Sequence, residues 1–321
     1  TTFRLGGPAR FLVRVRQIAD LRGALAFAQE KKLHTLLLGG GSNMLVDDAG
    51  FDGVAIKMEL MGMERDGDAI AAAAGESWDK LVERAVGEGL WGLENLSGIP
   101  GTVGGAVVQG IGAYGAAVGE TLSWVEAYDA ETGAIRKMSA AECAFDYRDS
   151  FFKHDDGRHI VVRAAFALSK EPKANISYKD LAAHFADSSL DLRAIREAVL
   201  QIRKGKFPDL SLEGTAGSFF KNPIVPAAEA EALRQKHSAM PLFTMPETAG
   251  MKVPLAWLLD KVLHVKGLRV GGARLFEKQP LVIAASRDAS AADVRALAEK
   301  VSSLVHDAFG IAIEPEVRII K

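Results

Sequence analysis

The chain has 321 residues, 48% of them apolar and 25% charged, with 39 basic against 41 acidic side chains and a net charge of −2. That balance excludes the basic excess of a general nucleic-acid binder, and no apolar run reaches the roughly 18 residues of a membrane-span candidate. One cysteine, Cys143, excludes an internal disulfide or a cysteine-built zinc site and reads as a small buried residue of a cytoplasmic protein. The seven histidines show no metal-ligand spacing, so no metal is expected.

The N-terminal part opens with helical periodicity over 18–32, followed by a short apolar strand over 34–38 that runs into "GGGSNMLV". Strands are expected over 53–58 and 69–75 and a helix over 78–89. A glycine-rich passage then covers 94–120. A hairpin follows over 121–139, turning at Asp129–Gly133, then a strand over 157–168. An amphipathic helix over 191–206 is ended by Pro208. Beyond 208 the pattern predicts helices over 226–238, 254–263 and 290–310, with strands over 279–286 and 311–320. Helices and strands mix without strict alternation, which reads as an α+β fold of several modules.

Glycine, at 32 copies, is clustered, and clustered glycines bring backbone close to something. Gly110, Gly112 and Gly115 satisfy G-x-G-x-x-G, but no helix intervenes before the next strand, so the dinucleotide fingerprint fails. "GGGSNM" fails too, with Met44 at the third glycine's place, and Gly205–Lys206 is followed by Phe207 rather than Ser or Thr. What remains is two loops of small residues, 39–43 and 98–106, each able to present N–H groups to a pyrophosphate or merely to form tight turns.

Six motifs stand in order across nearly the whole chain: "TTFRLGGPA", "LLLGGGSNMLV", "ENLSGIPGTVGGAVVQGIGAYG", "YRDSFFK", "GTAGSFFKNP" and "EPEVR". Together they resemble the UDP-N-acetylenolpyruvoylglucosamine reductase family of flavoenzymes. The resemblance implies a three-domain α+β flavoprotein. Two FAD-binding domains of the vanillyl-alcohol-oxidase (PCMH) type would cover 1–57 with 311–321 and 58–207, and a substrate-binding α+β domain would cover 208–310.

FAD would be held by Gly39, Gly40, Gly41, Ser42 and Asn43, by Ser97, Gly98, Ile99, Pro100, Gly101, Gly104, Gly105 and Ala106, and nearby by Gly112, Tyr114 and Gly115. Catalysis falls to Arg148, Ser218 and Glu316. Substrate contacts fall to Tyr178, Lys206, Asn222 and Gln279, with Tyr178 marking the branch that carries a tyrosine on a lid loop. NADPH is the implied co-substrate and UDP-N-acetylglucosamine enolpyruvate the implied substrate of a monomeric enzyme.

The residue types suit that chemistry. A guanidinium matches a carboxylate bidentately and stays charged, as Arg148 would have to. Glu316, if protonated, would donate a second hydrogen bond, and a serine hydroxyl is acid enough to protonate a strongly basic enolate. Outside the motifs each residue has an ordinary alternative. Ser218 could cap a turn, Arg148 could pair with Asp146 or Asp149, and Glu316 could share a solvent-facing edge with Glu314. Pro315 tells against an interior ladder at that edge.

Overall fold

The computed structural model describes residues 1–185, 190–244 and 250–321. The chain divides into two compact units, 9–41 with 51–205, and 1–8 with 42–50 and 206–321. In the first unit, strands Ala9–Val15, Phe51–Met58 and His34–Leu38 form a parallel sheet with Phe51–Met58 in the centre. Helix Ile18–Glu30 buries Leu21, Ala24 and Ala28 with Val54 and Ile56 in the small core of this part. Parallel pairing needs a covered face, and the helix supplies it.

The rest of this unit is built on an antiparallel sheet in the order 135–139, 122–129, 159–167, 69–73, 63–66. Its larger core takes Trp78, Leu81, Val82, Ala85 and Val86 from helix Trp78–Gly87, and Leu192, Ile195, Ala198 and Val199 from helix Leu192–Lys206. Both helices show the one-sided apolar stripe expected of them. The Trp78 indole N–H donates to Leu96 O at 2.9 Å, which fastens the glycine-rich passage to the first helix.

That passage holds a helix the composition hides, Val103–Gln109. Two glycines in its first turn disfavour a helix by about 1 kcal/mol each. A methyl group at Gly104, however, would lie 2.9 Å from Ala74 Cβ, so close packing onto the sheet requires the glycine. Past it, Gly112–Ala113 and Ala116–Ala117 pair as a tight hairpin. Tyr114 and Gly115 both take positive φ (+50 and +86), the conformation of a two-residue type I′ turn. No long helix separates these glycines from strand Leu122–Asp129, in accord with the failed dinucleotide fingerprint.

In the second unit, helix Ala291–Phe309 buries Val294, Leu297, Val301 and Val305. Its capping box is complete: Asp293 N–H donates to Ser290 Oγ, and Ser290 N–H donates to the Asp293 carboxylate, both at 3.0 Å. Strand Gln279–Ala285 pairs with Ala273–Phe276, and Met44–Val46 pairs in parallel with Arg318–Ile320. The helix expected over 254–263 is there, as one turn at Leu255–Trp257 followed by a wider turn closed by Leu263 N–H on Leu258 O.

One expected element is corrected. The C-terminal strand is Arg318–Ile320 alone, not 311–320. Pro315 carries no N–H for a ladder and makes only an isolated bridge with Phe220.

Candidate functional site

In the first unit, Gly39 and Gly40 leave the parallel sheet and meet the second glycine loop, Gly39 at the Thr102 side chain and Gly40 at the Gly101 backbone. A Cβ at Gly39 would lie 2.6 Å from Thr102 Oγ1, and one at Gly40 would lie 2.6 Å from Gly101 Cα. Gly41, Gly98 and Gly101 take positive φ of +66, +68 and +125, conformations that glycine adopts at low cost. An open cavity of about 540 Å³ is lined by Lys57, Gly75, Thr102, Arg16 and Glu59 among others. The Lys57 ammonium donates to Gly39 O. Burial pulls that ammonium below the usual lysine range, partly offset by Glu59. A concave backbone with a cation and a hydroxyl beside it fits an anionic dinucleotide such as FAD.

The second loop is fixed more by protein than the motif suggests. The Ser97 hydroxyl donates to Glu94 O at 2.6 Å. Gly98 N–H donates to Asp79 at 2.6 Å, and Arg203 donates to Gly98 O at 2.9 Å. Burial would push the Asp79 carboxyl up, but Arg196 and the Gly98 N–H outweigh it and hold it below its ordinary value. At the helix start, Val103 N–H goes to Glu76 O, Gly104 N–H to Ala74 O, Gly105 N–H to Thr102 Oγ1 and Ala106 N–H to Thr102 O. Those amides are engaged within the protein, so Gly104, Gly105 and Ala106 do not present open N–H donors. Ile99 and Pro100 lie on the same turn.

Tyr178 lies on the Gly112–Ala117 hairpin. Its ring meets the Tyr114 ring edge-on at 5.2 Å, and the Tyr114 hydroxyl meets the Arg203 guanidinium. Asn95, almost fully buried, donates to Tyr114 O at 2.7 Å and Asn175 O at 2.8 Å, while Asn175 donates to Gly115 O at 2.8 Å. Arg148 sits in a turn closed by Asp146 and Asp149, with φ of +58, and its Nη1 lies 3.1 Å from where a Gly112 Cβ would stand. Asp149, one of the surface partners residue type alone would offer Arg148, is paired with His154 at 2.7 Å.

In the second unit, segment Gly214–Lys221 is stitched on two sides. Gly214 and Ala285 exchange two backbone hydrogen bonds, and Phe219 N–H donates to Leu281 O at 2.7 Å. On the other side, Glu316 N–H donates to Phe219 O at 2.7 Å and Lys221 N–H donates to Glu314 O at 3.0 Å. Ser218 and Glu316 therefore flank one backbone hydrogen bond, and Asn43 joins them by donating to Glu316 O at 3.1 Å. Phe219 and Phe220 are fully buried anchors.

Glu314 is exposed and faces Lys221 at 3.6 Å, whereas Glu316 is half-buried. The two glutamates thus do not share one environment. Asn222 accepts from Leu255 N–H at 3.0 Å, and Gln279 begins the strand that Ser218 bridges at Val282. Lys206 ends helix Leu192–Lys206 and is the first residue of this unit's main segment. Sequence reasoning missed Lys57, Asn95 and Asn175. The one signal for Lys57 is a lone cation in the apolar strand "GVAIKM"; the asparagines gave none.

The parallel sheet with its helix, most of the antiparallel sheet and the two meeting glycine loops lie in the stretch that, together with the chain's relatives, places it among FAD-dependent oxidoreductases. Residues 9–139 match the family described as "FAD binding domain". Residues 209–320 match the family described as "UDP-N-acetylenolpyruvoylglucosamine reductase, C-terminal domain". The chain is 38% identical to the UDP-N-acetylenolpyruvoylglucosamine reductase of Ralstonia nicotianae, over 99% of this chain and 96% of that one. It is 40% identical to that of Bdellovibrio bacteriovorus, over 98% and 95%. The crystal structure of the corresponding reductase from Thermus caldophilus superposes with a TM-score of 0.72 at 26% identity, covering 100% of this chain and 96% of that one. The chain belongs to the UDP-N-acetylenolpyruvoylglucosamine reductase family.

Proposed function

We propose that this chain reduces UDP-N-acetylglucosamine enolpyruvate to UDP-N-acetylmuramate with electrons from NADPH, a step of peptidoglycan synthesis in the cytoplasm, and that it acts as a monomer. The observation that carries this reading is the stitching of Ser218, Glu316 and Asn43 around Phe219 in a chain with an FAD-binding fold. Gly39 to Asn43 and the Ser97–Ala106 stretch would hold FAD, with Lys57 setting the Gly39 carbonyl. Gly112, Tyr114 and Gly115 stand by. Bound FAD supplies hydride acceptance from the nicotinamide and hydride donation to the substrate. The proposed division is into 1–57 with 311–321, 58–207 and 208–310; three clusters of buried side chains favour three modules, although Phe3, Leu45, Ile311, Ile313 and Val317 pack with the core of 208–310.

Hydride added to the terminal carbon of the enolpyruvyl double bond moves an electron pair onto the carboxylate. Arg148 meets that growing charge with a fixed cation, and Glu316 adds a hydrogen bond. Ser218 Oγ then gives its proton to the adjacent carbon, and solvent restores the hydroxyl. Lys206 faces the diphosphate, while Tyr178, Asn222 and Gln279 hold the rest of the substrate. Lys221, already beside Glu314, is left out of the proton transfer.

The test is the absorption spectrum of the purified protein. Flavin bands bleached anaerobically by NADPH and restored by the enolpyruvyl substrate support the reading. A colourless protein that takes up no FAD overturns it, and rapid reoxidation by oxygen without that acceptor replaces it with an oxidase.

A further inference from the structure

Arg148 adopts a backbone conformation that L-residues avoid because Cβ crowds the following carbonyl, with φ of +58. Such strain persists only where the surroundings over-determine it, and here they do. Asp149 N–H donates to Asp146 O at 3.1 Å and Asp146 N–H to Asp149 O at 3.3 Å. Gly110 leaves room for the turn, since a Cβ there would lie 2.5 Å from Asp149 O. Ser150 Oγ donates to Val108 O at 2.7 Å, which ties the turn to the end of helix Val103–Gln109. At Arg148 itself, the half-buried Lys153 donates through Nζ to the Arg148 carbonyl oxygen at 2.5 Å. Rotating residue 148 into the ordinary helical or extended region would swing that carbonyl away from the ammonium.

We propose that Lys153 is a positioning residue for the reductive step: by holding the Arg148 carbonyl it keeps the turn left-handed and aims the guanidinium past Gly112. The inference rests on the substrate-carboxylate role given above to Arg148. Lys153 touches neither substrate nor flavin in this scheme and acts only through Arg148.

The experiment uses the FAD-loaded enzyme and follows its two half-reactions separately. Lys153→Met is expected to slow reoxidation of the reduced flavin by the enolpyruvyl substrate about 10²-fold, the scale of a misplaced positioning group. Bleaching by NADPH should stay within about twofold, because Arg148 has no part in it. Lys153→Arg, which keeps a cationic donor, should recover most of the loss. In an Arg148→Ala background, Lys153→Met should add nothing, since a residue acting through Arg148 is silent once Arg148 is gone.

Equal slowing of both half-reactions, or an undiminished effect in the Arg148→Ala background, overturns the proposal in favour of a general structural role. Arg148→Ala that reoxidises at the wild-type rate removes the reading of Arg148 itself and the positioning role with it. Should Lys153→Met not accumulate with bound flavin, Lys153→Gln enters the same cycle.

Discussion

The neighbourhoods of Ser218 and Arg148 are held by different physics. Ser218 lies on an extended segment with backbone partners on both sides and two fully buried phenylalanines beneath it. No strained residue is needed to present its hydroxyl beyond the glycine before it, Gly217, at φ +79. Arg148 lies on a turn whose backbone is itself the strained element, held by side chains and by a glycine that leaves room. The first arrangement resists substitution of the functional side chain, because the ladder and core remain. The second ties the placement of the functional group to its supports, so it is the more easily misaligned.

The largest expected effect isolates the chemistry of the first region. Ser218→Ala should slow flavin reoxidation by the enolpyruvyl substrate by up to about 10⁴-fold, roughly 5 kcal/mol of barrier. Bleaching by NADPH and the unfolding midpoint should barely move; equal losses in both half-reactions would remove the proton-donor role. Next comes the anchor beneath it. Phe219→Ala deletes a fully buried ring and should cost about 4 kcal/mol in urea unfolding. A cost under about 1 kcal/mol would show that the ladder alone holds Ser218.

A middle-sized effect probes the second region by pH. Cys143 is fully buried and accepts from Phe151 N–H at 2.9 Å through its carbonyl, so it helps carry the chain on either side of Arg148. Burial, with Glu142 nearby, pushes its thiol from about 9 up to about 11. Between those values the folded state keeps a proton that the unfolded state has released. Stability therefore falls as pH rises from about 9 to about 11, by an amount of order 2 kcal/mol. Cys143→Ala should flatten that alkaline decline in urea midpoints compared across the range, and an unchanged slope would assign the decline to other groups.

The smallest effect is the sharpest contrast. Arg148→Gly relieves a left-handed penalty of about 1 kcal/mol while adding freedom to the unfolded chain. Stability should change by less than about 1 kcal/mol although reoxidation by substrate collapses. A loss above about 2 kcal/mol would mean the guanidinium is itself a structural support.

Much of the fold was legible locally. The helices at 18–30, 78–87, 192–206 and 291–309 show their one-sided apolar spacing, and the hairpin of 122–129 with 135–139 is announced by its turn. Helix Val103–Gln109 was hidden because its two glycines oppose a helix by propensity, and only the lack of room beside Ala74 makes sense of Gly104. The apolar alternation of 311–320 reads as one long strand, whereas Pro315 leaves only Arg318–Ile320 in a ladder. Of the candidate site, Lys153 in "YRDSFFK" carries no local signal of its role, since a lysine's bond to a carbonyl five residues back leaves no periodic trace.

Residue types and their order along the chain determined which chemistry was available: a serine, an arginine and a glutamate set in motifs, two glycine loops and one unreactive thiol. These are local properties, encoded in neighbouring side chains and in the periodicity of the backbone. Only the tertiary structure decided that Gly214–Lys221 runs between strand Gln279–Ala285 and the stretch around Glu316, that Asn43 reaches Glu316, and that Gly39 and Gly40 abut Gly101 and Thr102. Those placements join residues far apart in the chain. Backbone hydrogen bonds and close packing look the same whichever residues supply them, so no single stretch of sequence announces its partner.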